Sequence, residues 1–272
     1  MRTLALLVLL LAVRAGAQTG VPEAVVAPLV MGTTHTFRSA ALGQDRTLNV
    51  ILPDGYADSL HYPVVYVLDG SVNEDLPHLA GLVQFLSMYE LAPKSIVVGI
   101  ANVDRYHDFT HPTRSDSDRV WLPTGGGSAA FIAFIAGEVL PYVDARFRTN
   151  GDRTIIGQSL GGLLVMELLF KRPELFDRYV AVSPSLWWDN GSLAKMAEEF
   201  SRAHGQEPLQ VYMALARDDD WMRAQMQEVR AAFTANTKAP FTWWYDDFPE
   251  ETHATILHRA VYRAFERMRG AK

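Results

Sequence analysis

The stretch RTIIGQSLGGLLVMELL, residues 153–169, holds a serine at a predicted strand-to-helix turn. A short β-branched run comes before the turn, and a mostly apolar run of helical length follows it. Gly157, Ser159 and Gly161 match the pattern G-x-S-x-G, and Gly162 follows directly. Such a turn strains the backbone at the serine, requires small neighbours and lifts the hydroxyl to a helix N-terminus. The stretch therefore predicts a nucleophilic serine, the alternative being a glycine-rich turn with an incidental serine.

Strands and helices alternate along the rest of the chain. Continuous apolar runs such as YPVVYVLDG, residues 62–70, are typical of strands buried on both faces. We expect strands within residues 34–56 (two, turning near Gly43), 62–70, 94–102, 153–157, 178–183, 209–216 and 241–248. We expect helices at residues 76–90, 129–147, 161 onward, 193–204, 221–235 and 254–268. The pattern predicts one α/β domain with a mostly parallel, doubly wound sheet and helices on both faces.

A polar stretch interrupts the alternation between residues 103 and 127. It contains Pro112, Pro123 and three consecutive glycines, and it predicts a long surface loop. Loops of that length are usually functional or mobile. Ser128 follows the stretch directly, and we expect it to cap the next helix.

The first seventeen residues have a different character from the rest of the chain. Arg2 precedes an apolar run, Leu4 to Val13, that is too short to span a bilayer, and Ala15-Gly16-Ala17 resembles a cleavage site. These features predict a secretory signal peptide at residues 1–17 and an exported, periplasmic or secreted domain at residues 18–272. The alternatives are a membrane anchor or a wrongly assigned start.

Composition excludes several chemistries. The chain of 272 residues contains no cysteine, which excludes disulfides and a thiol nucleophile. Its formal charge is −6, and loss of Arg2 and Arg14 with the signal would leave 23 basic and 31 acidic residues, a charge near −8. An acidic chain without a basic patch disfavours nucleic acid and anionic membranes as partners. No later stretch approaches 18 unbroken apolar residues, so we expect no stable membrane insertion after signal removal.

A nucleophilic serine needs a base, and three of the eight histidines follow Ser159. His204 lies in a polar helix end, and His258 lies inside the last amphipathic helix. His253 follows the last predicted strand, in a loop that opens at the same sheet edge as the serine turn. The chain order Ser, acid, His of this type of turn therefore favours His253 as general base.

The acid of such a triad should follow the strand at residues 209–216. Asp218, Asp219 and Asp220 stand there side by side. One of them can hold the imidazole in the correct tautomer. Alternatively, all three are solvated residues that cap the next helix, and one can be catalytic while another caps.

Five stretches are distinctive and follow one another in order along the chain. They are YPVVYVLDG (62–70), DRYHDFTHP (104–112), GGGSAAFIAFIAGEVLPYVDARFRTNGDRTIIGQSLGGLL (125–164), FDRYVAVSPSLWWDN (176–190) and ETHATILHRA (251–260). Together they resemble an esterase family of α/β-hydrolases. The family includes enterobactin and salmochelin esterases, feruloyl esterases, S-formylglutathione hydrolases and mycolyl transferases. The chain most resembles the siderophore-esterase branch, and the resemblance implies the α/β-hydrolase fold over most of residues 18–272.

The resemblance also implies catalytic residues. It implies Ser159 as nucleophile and His253 as base. The acid of the family commonly lies in a G-x-x-D/E pattern after the strand, and this pattern points to Asp219, although the glycine position is occupied by Ala216.

For the rest of the site, the resemblance implies an oxyanion hole and substrate contacts. The oxyanion hole would consist of the backbone N–H groups of Leu160 and Ser71. Arg105 occupies the position of an arginine at the substrate mouth, the alternative being a solvated loop charge. Trp187 and Trp188 follow a strand end near the site, where they either contact substrate or pack in the core.

Together these features predict an exported serine esterase that hydrolyses carboxylic esters through an acyl-enzyme, without metal or cofactor. Siderophore-type or aryl esters are the expected small-molecule substrates. One alternative is an acyltransferase of the same fold, in which an alcohol replaces water. Others are a general short-chain acyl, feruloyl or acetyl-carbohydrate esterase, and a non-catalytic exported binding protein.

Overall fold

The computed structural model describes residues 23–269. Residues 23–31 have no regular secondary structure, and their side chains are exposed. Residues from Gly32 onward form a separate unit that contains the strands and helices. The predicted signal peptide, residues 1–17, lies outside the described residues.

Between residues 32 and 269, eight strands form one sheet in the order β1-β2-β4-β3-β5-β6-β7-β8. The strands are β1 (Thr33–Arg38), β2 (Asp45–Ile51), β3 (Tyr62–Val67), β4 (Ile96–Ile100), β5 (Thr149–Gln158), β6 (Arg178–Val182), β7 (Gln210–Leu215) and β8 (Thr242–Asp247). The β1–β2 and β2–β4 pairs are antiparallel, and all other neighbouring pairs are parallel. The mostly parallel sheet of the predicted α/β-hydrolase fold is confirmed.

Helices connect the strands and cover both faces of the sheet. They are α1 (Leu76–Met88), α2 (Arg105–Phe109), α3 (Asp116–Trp121), α4 (Ser128–Phe134), α5 (Leu140–Arg146), α6 (Leu160–Lys171), α7 (Trp188–Gly191), α8 (Ala197–His204), α9 (Asp220–Asn236) and α10 (Ile256–Arg269). A π-helical segment, Ile135–Val139, joins α4 to α5.

The central strands are apolar throughout because each of their faces supports a separate core. Val64, Tyr66 and Leu68 pack with residues of α4, α6 and α9. Val65 and Val67 pack on the opposite face with residues of α1 and α10. Successive side chains of a strand point to opposite faces, so a strand covered by helices on both sides reads as a continuous apolar run.

The helical segment Ser128–Arg146 is a core element. Within the described residues it is the one helix long and apolar enough to cross a membrane. Its Phe131, Phe134 and Val139 side chains are instead buried in the core. Ser128 is buried in the first turn of this helix, and Gly127 takes the N-cap position without a side-chain hydrogen bond. The prediction that Ser128 caps the helix is therefore wrong, because the chain enters the helix one residue earlier.

The stretch 103–127 is more ordered than a surface loop. It contains α2 and α3, and Asp108 and Phe109 are buried within it. The carboxylate of Asp108 accepts hydrogen bonds from Arg46 of β2 over 2.6 and 3.1 Å, and both side chains are 1% exposed. The prediction of a surface loop is wrong here. The sequence shows Asp108 only as a charged residue and does not show that Arg46, far away in the chain, pairs with it in the interior.

The sheet brings four polar residues to one edge. Ser159 follows β5, Ser183 follows β6, Asp218 follows β7 and His253 follows β8. These four strands are consecutive and parallel, so their carboxyl ends lie side by side. Ligands of parallel α/β sheets bind at this edge.

Candidate active site

Ser159 lies in the strained backbone that its glycine-rich neighbourhood predicts. Its φ is 58° and its ψ is −119°, a region that residues with a side chain rarely occupy. A Cβ atom on Gly157 would lie 2.5 Å from the backbone of Gly161, and one on Gly162 would lie 2.9 Å from Cα of Pro184. The turn can therefore close only with glycine at these positions.

The Ser159 turn is held by backbone hydrogen bonds to the neighbouring strand end. Its N–H donates to the carbonyl of Val182 over 3.0 Å, and its carbonyl accepts from the N–H of Ser185 over 3.0 Å. The hydroxyl oxygen lies 3.3 Å from the hydroxyl of Ser185. This separation is long for an O–H···O hydrogen bond, so the Ser159 hydroxyl is only weakly restrained.

His253 is oriented by Asp218. Nδ1 of His253 lies 2.8 Å from Oδ1 of Asp218, and the histidine side chain is 43% exposed whereas the aspartate side chain is 2% exposed. The amide of Gln158, next to Ser159, donates to the backbone carbonyl of His253. The histidine is thus tied to the Ser159 turn by its backbone carbonyl and to Asp218 by its ring.

Asp218 accepts hydrogen bonds at both carboxylate oxygens. Oδ2 accepts from the hydroxyl of Ser183 over 2.6 Å and from the N–H of Ala216 over 2.9 Å. Burial raises the pKa of the Asp218 carboxyl, but the hydrogen bonds from His253 and Ser183 outweigh it and hold the pKa below its usual range. The buried carboxylate therefore stays ionised next to the imidazole.

Asp219 has a different position from the one predicted. It is the N-cap of α9, and its carboxylate accepts from the N–H of Met222 over 2.8 Å. The contact with His253 that was expected of Asp219 is made by Asp218 instead, because the Asp218 side chain folds back onto the strand end. A helix start signal at Asp219 was available in the sequence, but no local signal distinguishes which neighbour reaches His253.

Ser71 does not contribute its N–H to the site. That N–H donates to Oε2 of Glu74 over 3.1 Å, and Ser71 lines a separate cavity of about 260 Å³. A Cβ on Gly70 would lie 2.3 Å from the backbone N of Ile100, so the chain after β3 runs close against β4. The chain path therefore leaves the N–H of Ser71 away from the Ser159 cavity, contrary to the prediction of Ser71 as the second oxyanion donor. Leu160, the first residue of α6, lines the same cavity as Ser159.

Arg105 lies at the Ser159 cavity, as predicted, but its charge already has a partner. Nε and Nη2 donate to the two carboxylate oxygens of Asp69 over 2.8 and 2.9 Å. Asn102 also donates to Asp69, over 2.6 Å. Burial lowers the pKa of the Arg105 guanidinium, and the hydrogen bonds to Asp69 more than compensate and raise it. The pair is a fixed, bidentate ion pair.

The two adjacent tryptophans have different environments. Trp187 lines the cavity with Ser159. Trp188 is fully buried, and its Nε1–H donates to the carbonyl of His111 over 2.7 Å. The prediction of Trp188 as a substrate contact is therefore wrong, since its ring and its polar atom are used inside the fold.

The cavity above Ser159 has a volume of about 460 Å³, within the usual range for small-molecule sites. It is lined by Arg105, Tyr106, Trp121, Leu122, Ser159, Leu160, Ser185, Trp187, Arg217, Asp218, Asp219, Met222 and His253. Sequence reasoning missed Trp121, Ser183, Ser185 and Arg217. Trp121 lies within the polar stretch 103–127, the two serines lie in the stretch 176–190 without a role assigned to either, and Arg217 adjoins a strand end.

A larger cavity, of about 990 Å³, lies away from these residues. Pro63, Thr154 and Arg178 line it at the opposite ends of the strands, together with residues of α1 and α10. Its lining residues include no histidine, so they offer no arrangement of serine, histidine and aspartate. In the described part of the chain, no three His, Asp or Glu side chains are grouped as metal ligands.

Comparisons with known proteins identify the family of the chain. The family model described as "Putative esterase" matches residues 39–260. The ferri-bacillibactin esterase BesA of Bacillus subtilis is 25% identical over 264 residues, 85% of this chain and 88% of that protein. The siderophore triacetylfusarinine C esterase of Aspergillus fumigatus is 38% identical over 111 residues, 38% of this chain and 36% of that protein.

Solved structures have a similar fold. An IroE-like serine hydrolase from Shewanella oneidensis is 30% identical, with a TM-score of 0.79 over 88% of this chain and 80% of that one. The siderophore hydrolase EstB from Aspergillus nidulans, 22% identical, has a TM-score of 0.75 over 91% and 97% of the two chains, a likeness of fold. The chain therefore belongs to the esterase family of α/β-hydrolases, and it is a carboxylic ester hydrolase.

Proposed function

We propose that the protein is an exported serine esterase that works through an acyl-enzyme. The observation that carries this proposal is the contact of 2.8 Å between His253 and the buried Asp218, in the cavity that Ser159 lines. A base held by a buried carboxylate next to a serine on a strained turn is the arrangement that activates a hydroxyl nucleophile.

In the acylation step, Oγ of Ser159 attacks the ester carbonyl carbon while Nε2 of His253 takes its proton. Asp218 keeps Nδ1 protonated and thus leaves Nε2 free to act as base. The N–H of Leu160, at the N-terminus of α6, donates to the carbonyl oxygen as that oxygen becomes negative. The intermediate then expels the alcohol oxygen, which receives the proton from His253.

In the deacylation step, His253 takes a proton from water, and the resulting hydroxide attacks the acyl carbon. Collapse of the second intermediate breaks the bond to Oγ of Ser159, which regains its proton from His253. The carboxylic acid leaves. Because the hydroxyl contact with Ser185 is 3.3 Å long, little is lost when the Ser159 hydroxyl turns toward the imidazole.

For the natural substrate, we propose a siderophore-type or aryl ester. The support comes from the relatives of the chain, since BesA is a ferri-bacillibactin esterase and is matched over 85% of this chain. The proposed export rests on residues 1–17 of the sequence. Mass spectrometry of protein recovered outside the cytoplasm should find Gln18 at the N-terminus, and a membrane-bound chain with Met1 would contradict export.

A fluorophosphonate tests the nucleophile. We expect one label per chain, on the peptide that contains Ser159, and loss of labelling and of ethyl butyrate hydrolysis in Ser159→Ala. Ser185→Ala is the matched control, because its hydroxyl lies in the same cavity at 3.3 Å from that of Ser159. Turnover retained in Ser159→Ala, or a label on Ser185, would refute the mechanism. Product formed only with an added alcohol acceptor would identify an acyltransferase.

A further inference from the structure

Trp121 is an exposed aromatic side chain at the mouth of the Ser159 cavity. It ends α3 and is 71% exposed. Its ring lies against that of Trp187, with centroids 5.3 Å apart and an interplanar angle of 34°. Both rings line the cavity. Single exposed apolar residues need no explanation, but a paired aromatic patch at a site marks a contact surface.

The position of this pair is fixed by hydrogen bonds to the carboxylates of Asp118 and Asp189. Oδ2 of Asp118 in α3 accepts from the N–H of Asp189 over 2.8 Å. Oδ1 of Asp189 accepts from the N–H of Arg114, which precedes α3, over 2.6 Å. These hydrogen bonds tie the segment that carries Trp121 to the turn that follows Trp187. A surface fixed before binding loses little side-chain entropy when a ligand arrives.

The ring spacing decides how a ligand ring can bind. At 5.3 Å the two indoles already touch. A planar group between them would need about 7 Å, two contact distances of about 3.5 Å. A ligand ring must therefore lie on the face of Trp121 that Trp187 leaves uncovered.

Arg217 adds a positive charge to the same cavity. Its backbone N–H donates to the carbonyl of Glu251 over 3.0 Å, which anchors its main chain. Its guanidinium makes no hydrogen bond or ion pair with any residue between 23 and 269. Arg105, by contrast, is paired with Asp69. Arg217 is thus the cavity arginine available to a ligand anion.

We propose that Trp121 and Arg217 form a binding site for an anionic aryl acyl group. The ring stacks on Trp121, and a carboxylate or phenolate on the ring pairs with Arg217. This inference rests on the proposed serine mechanism. The site is assigned to the acyl group because that group stays bonded to Ser159 from acylation until water releases it, whereas the alcohol leaves after the first step.

Three ethyl esters with the same leaving alcohol test the site: ethyl butyrate, ethyl benzoate and monoethyl terephthalate. Acid release gives kcat/KM for each. Trp121→Ala should lower kcat/KM for both aryl esters about 5- to 10-fold and leave ethyl butyrate within about twofold. Arg217→Gln should lower kcat/KM about 5-fold for the terephthalate monoester alone, and added salt should remove this difference.

The matched control is Trp221→Ala. Trp221 is 55% exposed and does not line the cavity, so its loss should leave all three esters unchanged. Equal losses for the three esters in Trp121→Ala, or no loss for either aryl ester, would overturn the proposal. The serine mechanism fails separately, since ethyl butyrate hydrolysis that survives Ser159→Ala would refute it whatever Trp121 does.

Discussion

At the scale of single residues, Asp218 and Asp219 divide two tasks between neighbouring carboxylates. Asp218 holds the imidazole of His253, and Asp219 caps the helix that follows. Both roles need a hydrogen-bond acceptor just after β7. A shift of the chain by one residue would exchange the roles of the two aspartates. Asp218 therefore controls the tautomer of His253, while the neighbouring Asp219 caps α9.

Asp218→Asn should lower kcat about 10³- to 10⁴-fold, because an amide can favour the wrong tautomer of His253. Asp219→Asn should keep kcat near that of the wild type, because asparagine is as good an N-cap as aspartate. Steady-state kinetics on one simple ester measures both, and the melting temperature of each variant shows whether it folds. A loss in Asp219→Asn as large as that in Asp218→Asn would return the role of acid to Asp219.

At the scale of elements, α2 is anchored to the sheet by the buried ion pair between Asp108 and Arg46. Asp108→Asn would leave the guanidinium of Arg46 buried without its counter-charge. We expect the free energy of unfolding in urea to fall by about 3–5 kcal/mol. Asp116→Asn is the matched control in α3, since its pair with Arg119 is exposed and should be worth less than about 1 kcal/mol. Equal effects of the two substitutions would contradict the anchoring role.

The same elements show how far the sequence alone could lead. The apolar runs are enough to predict the sheet. The glycines around Ser159 and the chain order to His253 are enough to predict that the serine and the histidine lie at one edge of it. The burial of Asp108 within the stretch 103–127 has no local signal, because the partner of its carboxylate is Arg46, sixty-two positions away. The path after Gly70, which removes Ser71 from the site, likewise depends on a close approach of β3 and β4 that no local pattern reveals.

At the scale of the whole molecule, several carboxylates tie stability to pH. Burial raises the pKa values of Asp218, Asp189 and Asp246, but hydrogen bonds, from His253, Arg114 and Arg267 among others, outweigh it and lower them. A lowered pKa in the folded state means that the unfolded chain binds protons first as pH falls. The stabilisation is complete well above the unfolded aspartate value of about 3.9 and is lost as pH drops through the folded values.

The melting temperature should therefore decrease as pH is lowered from about 5 to about 3. Asp246→Asn should melt below the wild type at neutral pH, because its contacts with Arg267 and Arg263 lose their charge. At low pH the wild type loses the same charge, so the two melting temperatures should converge. Differential scanning calorimetry across this range measures the convergence, and parallel curves would show that Asp246 does not contribute to the acid sensitivity.

The buried pair of Arg46 and Asp108 has a consequence for how the enzyme meets its substrate. Helix α2, whose Arg105 and Tyr106 line the cavity with Ser159, cannot move away from the sheet without separating two charges that are each 1% exposed. Because α2 is held in this way, it cannot act as a lid that opens at an oil–water interface. We expect the rate of the enzyme to rise smoothly with ester concentration through the solubility limit, without the jump of interfacial activation, when acid release is followed on dissolved and emulsified tributyrin.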